Sequence, residues 1–250
     1  MKKPSVKEII DNDVTSNNYY DDYMYVTNSM LKVLLDKSPK HLEHYSKIPT
    51  QESAAMKFGT AFHSYVLEND KFKKEYAIEP DVDKRTTLGK VTMGNFHQKH
   101  GDKIHITKRD YDSIMLMEDV MSSNKHYNLI ENGIKEHIYL WENLSTNTKC
   151  KCKMDSVNFK DRYIIDIKTT YNASPSIFEE TIIKAKYHMQ AAFYLDALQM
   201  EDYYIFAIEK SAPYGMCIYK MGKSIIEEGR KEYTKGLHIM KEVWDTTLHK

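Results

Sequence analysis

Apolar residues recur along this chain at two different periods, and the change from one to the other divides it. From Thr27 to Ser122 the period is helical. Thr27 or Asn28 can cap a helix through MLKVLLD that stops before Pro39. Phe58, Phe62 and Tyr65/Val66 give KFGTAFHSYVLEN an apolar stripe, and a further helix is predicted from about Lys108 to Ser122. Residues 79 to 105 hold Pro80, Gly89, Gly94 and Gly101 among many charges, which predicts a long connection with a helical stretch around 90 to 100. After Gly133 the period becomes two. EHIYLWE, TKCKCKMD and RYIIDIK read as strands, with Glu136 opening the first. One long helix is expected from about Ser176 to Gln199, with Tyr187, Gln190 and Tyr194 on a common face. Strands YYIFAIEK and YGMCIYKM follow, then a closing helix from Ser224 to Leu248. Residues 1 to 26 are polar and read as an irregular lead-in to a single α/β domain over residues 27 to 250.

The strand pair spanning Lys149 to Thr170 carries the candidate chemistry. Asp166 and Lys168 stand two apart in RYIIDIK, so they share a face with Ile164, while Tyr163, Ile165 and Ile167 point the other way. In the preceding strand Lys149, Lys151, Lys153 and Asp155 fall on one parity and Cys150, Cys152 and Met154 on the other, a cationic face ending in a carboxylate. SVNFKDR between them reads as an antiparallel reversal, which would bring Asp155 close to Asp166. Two carboxylates beside a lysine suit a divalent cation held against a phosphodiester, because hard cations take oxygen ligands and an ammonium can steer a nucleophile. His63 lies beside the apolar stripe of its helix, with Glu68 five residues on.

Composition narrows the setting without choosing a substrate. With 250 residues, 41% hydrophobic, the chain can bury a large core. No apolar run approaches the roughly 18 to 20 residues of a bilayer span, and MKKPSVKEIIDND lacks a signal-peptide core, so a cytoplasmic protein without membrane partners is expected. Cys150, Cys152 and Cys217 form no even framework and no CxxC pair, and are expected to be reduced. Basic and acidic residues number 36 each, so bulk charge gives no evidence for nucleic acid, and any contact must come from a local cationic face. No GxxxxGK[ST] loop is present, which argues against an ATP-driven motor within this chain.

The order of these motifs resembles the RecE-like (exonuclease VIII catalytic domain-like) phage-type exonucleases, in the RecB-like branch of the PD-(D/E)xK nuclease superfamily. The resemblance runs through TNSMLKVLLDKSPKHLEHY, FGTAFHSYVLE, DKRTTLGK, ITKRDY, GIKEHIYLWE, CKCKMD, IIDIKTT and YHMQAAFYLDAL. It implies a restriction-endonuclease-like core, a central mixed β-sheet flanked by helices. It also implies roles: His63, Asp155, Asp166 and the backbone carbonyl of Ile167 as metal ligands, Lys168 as the group that orients water, and Gln190 and Tyr194 near the scissile phosphate. Glu136 and Glu68 are further candidates for the metal, and Ser29, Lys151 and Lys153 for DNA phosphate. The cofactor would be Mg²⁺, with Mn²⁺ able to substitute, at one or two ions per site. The family's activity would be processive 5′→3′ digestion of linear double-stranded DNA, leaving 3′ overhangs for a RecT-type single-strand annealing protein. A homo-oligomeric ring, trimer or tetramer, in a phage- or prophage-bearing bacterial host completes what the resemblance implies.

Two other readings remain open on the residues alone. One is an endonuclease, or a Cas4-like nuclease module, although three cysteines do not supply the four thiolates of an iron–sulfur cluster. The other is a non-catalytic DNA-binding protein on the same fold, whose mark would be a broken constellation.

Overall fold

The structure is a computed structural model and describes residues 4–11, 14, 15, 19, 24–47 and 52–243. Its first half is mainly helical. Strand β1 (Val6–Glu8) is followed by α1 (Asn28–Asp36), α2 (Pro39–Lys47), α3 (Ala54–Leu67) and α4 (Asn69–Glu75). A small unit comes next, β2 (Tyr76–Ile78), α5 (Thr87–His100) and β3 (Ile104–Ile106), then α6 (Lys108–Ser122) and α7 (Asn128–Glu131). The second half builds the sheet: β4 (Ile134–Asn143), β5 (Thr148–Asn158), β6 (Tyr163–Thr170), α8 (Pro175–Lys184), α9 (Tyr187–Leu198), β7 (Asp202–Glu209), β8 (Met216–Lys220) and α10 (Lys223–Val243).

Six strands form one mixed sheet in the order β1-β4-β5-β6-β7-β8, with β6 and β7 parallel and the other neighbours antiparallel. Helices cover both faces, as the α/β expectation required. Alternation along β6 assigns the faces. Ile164 packs with Leu31, Phe178, Phe193 and Tyr233 beneath α1, α8, α9 and α10. Tyr163, Ile165 and Ile167 pack with Phe62, Phe72, Ile114 and Met117 from α3, α4 and α6. Among the described residues no helix is long and apolar enough to cross a membrane.

Sequence period and structure part at short or broken elements. The lead-in expected to be irregular supplies β1, which pairs with β4 through Val6↔Asn143 and Glu8↔Trp141. Three residues are too few to show a period. Helix α2 begins at Pro39, where the preceding helix was expected to stop, because proline fits the first turn as well as it ends the previous one. The helix expected from Ser176 to Gln199 is two helices, separated at Lys186, whose φ is 57°. Nothing local demands that break. The Lys186 ammonium lies 2.8 Å from Glu232 of α10 and 3.4 Å from Asp36 of α1, so partners far along the chain hold the residue there. The last residues of the expected closing helix, beyond Val243, lie outside the described residues.

Candidate active site

The site forms where two strands part. β5 and β6 pair only at Ser156↔Ile165, Val157↔Ile164 and Asn158↔Tyr163, closed by a turn in which Asn158 Oδ1 accepts the Asp161 N–H at 2.8 Å and Arg162 takes φ 59°. Beyond Ser156, β5 follows β4 while β6 follows β7. Asp155 and Asp166 are the first residues past the last rung, on opposite arms of the fork. The freed edge of β5 is partly covered by Val26, whose N–H donates to the Lys149 carbonyl and whose carbonyl accepts from Lys151 N–H, both at 2.9 Å.

A break in alternation accompanies the fork. Met154 and Val157 pack in the same core although an odd spacing should place them on opposite faces. Across the ladder, Lys135↔Ser156 and His137↔Met154 are paired and the intervening Glu136 and Asp155 are not. Glu136 has φ 53°, a left-handed conformation that costs a non-glycine residue about 1–2 kcal/mol. This strained residue faces the acid cluster: one ligand atom each of His63, Glu136 and Asp155 lie within 4.8 Å of one another.

Hydrogen bonds fix each member. His63 Nδ1, on α3, is 3.3 Å from Asp155 Oδ1, and Asp155 Oδ2 accepts the Ile167 N–H at 2.6 Å. The N–H and carbonyl of one strand residue face the same edge, so the Ile167 carbonyl also looks into the fork. Glu136 forms an ion pair with Lys153. Asp166 Oδ1 accepts from Gln190 Nε2 at 2.6 Å and from Lys168 Nζ at 3.0 Å. Asp166 Oδ2, although 2.8 Å from the same ammonium, accepts no well-directed hydrogen bond, an open acceptor on a side chain only 6% exposed. Gln190 Nε2 also donates to Tyr203 OH at 3.1 Å, and the Lys168 ammonium sits 4.9 Å over the Tyr187 ring.

Proton affinities follow from crowding acids into a half-buried fork. Burial raises Glu136 and Asp166, and the Asp155 charge adds to both; Lys153 relieves Glu136 and Lys168 relieves Asp166 only in part. Asp155 is the exception, because His63, Lys168 and the Ile167 N–H together outweigh its burial and hold it below the usual carboxylate range. Burial opposes the charge on His63 and Lys168, but the neighbouring carboxylates win and raise both. A cation among the carboxylates would remove the cause of the upward shifts at Glu136 and Asp166. The donor set, carboxylates with one imidazole, fits a divalent ion, and the open Asp166 Oδ2 is an unused acceptor of the kind such an ion needs.

Of the remaining sequence candidates, Lys153 reaches this group through Glu136 and the others lie apart from it. Glu68 joins α3 to α4, 3.3 Å from Lys71, and is outside the convergent acids. Tyr194 stacks edgewise toward Tyr203 with ring centres 6.4 Å apart, behind Gln190. Ser29 is exposed in the first turn of α1. The cationic face expected along β5 is largely turned inward: Lys151 is 1% exposed with its ammonium 4.9 Å over Tyr19, and Lys153 is matched by Glu136. Alternation gives parity but not which face is wet. Lys184 and Lys186 are likewise matched, by Glu180 and by Glu232 with Asp36. Tyr203 is the site residue that sequence reasoning missed, since a tyrosine in an apolar strand carries no chemical signal. All three cysteines are free.

A forked mixed sheet with acids and a lysine at the fork defines the PDDEXK-like class. The chain matches over residues 27–249 the model of DUF3799, described as a PDDEXK-like domain of unknown function, and it belongs to that family. Among solved structures, one described as a "putative exonuclease" from Eubacterium rectale superposes with a TM-score of 0.63 at 17% identity, covering 92% of this chain and 86% of that one, which shows a shared fold. The structure of SSO0001 gives a TM-score of 0.31 at 14% identity, covering 71% of this chain and 86% of that one, too low to carry an argument. No curated protein matches.

Proposed function

We propose that this protein is a metal-dependent, ATP-independent DNA nuclease, and specifically an exonuclease acting on linear duplex ends. The observation that carries the nuclease reading is the fork itself, where Asp155 and Asp166 meet with His63 and Lys168 beside them. His63, Glu136, Asp155, Asp166 and the Ile167 carbonyl would hold Mg²⁺, with Mn²⁺ as a substitute, at one or two ions. Such an ion would supply charge neutralisation at the phosphate and a lowered pKa for the attacking water.

The protein's own groups do the rest. Lys168, kept protonated by Asp166 and Asp155, holds the water in line and stabilises charge building on the phosphoryl oxygens. Gln190 fixes the Asp166 carboxylate from α9, and Tyr203 fixes Gln190. Glu136 and Asp166, whose proton affinity is raised by burial and by the Asp155 charge, would be held ionised by the cation they ligate. Exonuclease action, 5′→3′ polarity, processivity, 3′ overhangs and a RecT-type annealing partner rest on the resemblance of the motifs. A neutral chain would then gain its hold on DNA by summing modest cationic surfaces around a trimeric or tetrameric ring, inside a bacterial host.

The test uses linear duplexes labelled at either the 5′ or the 3′ end and a covalently closed circle, each with Mg²⁺, Mn²⁺ or chelator. Early release of the 5′ label with an intact circle is the expected outcome. Cleavage of the circle would favour an endonuclease. Binding without hydrolysis in either metal would leave a non-catalytic DNA-binding protein.

A further inference from the structure

An open cleft of about 550 Å³ lies outside the acid cluster, and no part of the proposed chemistry uses it. Its walls come from three elements: Ala55 and Phe58 near the start of α3, Thr107, Arg109, Asp110 and Ser113 at the start of α6, and Lys210 and Ser211 just after β7. Two cations line it, Arg109, which is exposed, and Lys210, which is half-buried. Most other cations near the sheet are spoken for, Lys153 by Glu136, Lys168 by Asp166, Lys186 by Glu232 and Lys220 by Asp202. The side chains of Arg109 and Lys210 have no hydrogen bond or ion pair among the described residues. The one carboxylate in the cleft, Asp110, is engaged in the cap of α6, where its Oδ2 accepts from Thr107 Oγ1 at 2.8 Å. The hydroxyls of Ser113 and Ser211 and the positive end of the 15-residue α6 complete an environment that favours an anion.

The cleft is joined to the fork by backbone. Lys210 N–H donates to the Thr170 carbonyl at 3.0 Å, two residues beyond Lys168 on β6. Gly59 of α3 packs against Thr169, with space for a Cβ at 3.5 Å from its Oγ1. Phe58 and Ala55 precede His63 on α3 by five and eight residues, which places the cleft wall about 7 to 12 Å along the helix from the site. At 3.4 Å of rise per nucleotide on one strand, that is roughly two to four nucleotides.

We infer that the Arg109–Lys210 cleft binds a backbone phosphate of the DNA, a few nucleotides from the scissile bond, and so sets the register of the strand in the fork. This inference rests on the nuclease reading of the acid cluster. Two cations and two hydroxyls suit a phosphodiester, and a phosphate contact positions the strand without reading its sequence. Phe58, half-buried at the rim, gives a flat apolar flank for a sugar or a base.

The test measures binding of a short fluorescent duplex by anisotropy, with Ca²⁺ in place of Mg²⁺, for the parent protein and for Arg109→Gln, Lys210→Gln and Lys125→Gln. Lys125, exposed beyond the opposite end of α6, serves as the control cation. Between about 50 and 200 mM salt, each cleft variant should lower the slope of log affinity against log salt, the two together by about 0.9 for the one phosphate they share, and the control should leave it unchanged. Affinity should fall roughly threefold to tenfold per cleft variant, equally for unrelated sequences, with Arg109→Lys recovering most of it. In Mg²⁺, the cleft variants should raise KM and leave kcat near the parent value, since they act on binding shared by ground and transition states. A parent that digests DNA, with cleft variants matching the control in slope and KM, would overturn this inference alone. A parent that neither binds nor digests DNA would overturn the nuclease reading and this inference with it. Inorganic phosphate should compete little beyond its ionic strength; strong competition that the cleft variants abolish, with the DNA slope unchanged, would mean a free-phosphate site and also overturn the proposal.

Discussion

Asp166 shows how one buried side chain can be held by two neighbours and still have an acceptor to spare. Lys168 and Gln190 hold its Oδ1, Lys168 approaches its Oδ2, and Oδ2 keeps no well-directed donor. Removing the charge without the shape isolates its role. Asp166→Asn keeps the volume and a partner for Gln190, and it should reduce hydrolysis by at least about 100-fold while the melting temperature moves little. Single-turnover label release and circular dichroism melts measure the two; undiminished Mg²⁺-dependent hydrolysis would defeat the mechanism. The pairing of Asp166 with Lys168 was legible because both lie on one parity of a strand. The grip of Gln190 was not, since it comes from a helix 24 residues later.

Helix α9 depends for its position on α10. A Cβ on Gly229 would meet the His188 carbonyl oxygen at 2.1 Å and its carbon at 2.5 Å, so only glycine allows the two backbones this close. The contact is reinforced where Arg230 and Tyr233 of α10 converge on the buried Asp196 of α9, at 2.6 Å and 2.6 Å. Gly229→Ala should therefore destabilise the protein by about 1–3 kcal/mol, read as a lower urea midpoint with an unchanged slope. His188 stands two residues before Gln190, so the same variant should lower kcat; normal stability and normal kcat together would show that α9 tolerates the shift. At this scale the periods located most helices and all five strands of the second half. They missed the divide at Lys186, whose ammonium is tied to Glu232 and Asp36, partners far along the chain that no local period records.

Across the whole molecule, 36 positive and 36 negative charges are arranged so that most cations near the fork are matched. A single chain of this kind offers DNA a narrow foothold, the Arg109–Lys210 cleft, and several copies around one duplex would multiply it. Light scattering or native mass measurement at micromolar concentration should accordingly give three or four times the 29.4 kDa chain mass. A monomer would remove the ring and leave processivity without a structural basis. The cationic row along β5 cannot take its place, since the ammonium of Lys151 lies inside, over Tyr19, and Lys153 answers Glu136.

By itself the sequence determined the five strands of the second half, the faces of β6 and the approach of Asp155 to Asp166, because a period of two and a short reversal are local properties of the chain. Parity gave the side on which each lysine of β5 emerges, but burial depends on what else packs there. Only the tertiary structure decided that Val26 borders that strand, that Glu136 bends out of register into the cluster, and that His63 arrives from α3 to meet Asp155. It also decided that α3, α6 and the end of β7 enclose a cationic cleft. Each of these joins residues distant along the chain, and such contacts are fixed by the packing of layers on a sheet, which no local period records.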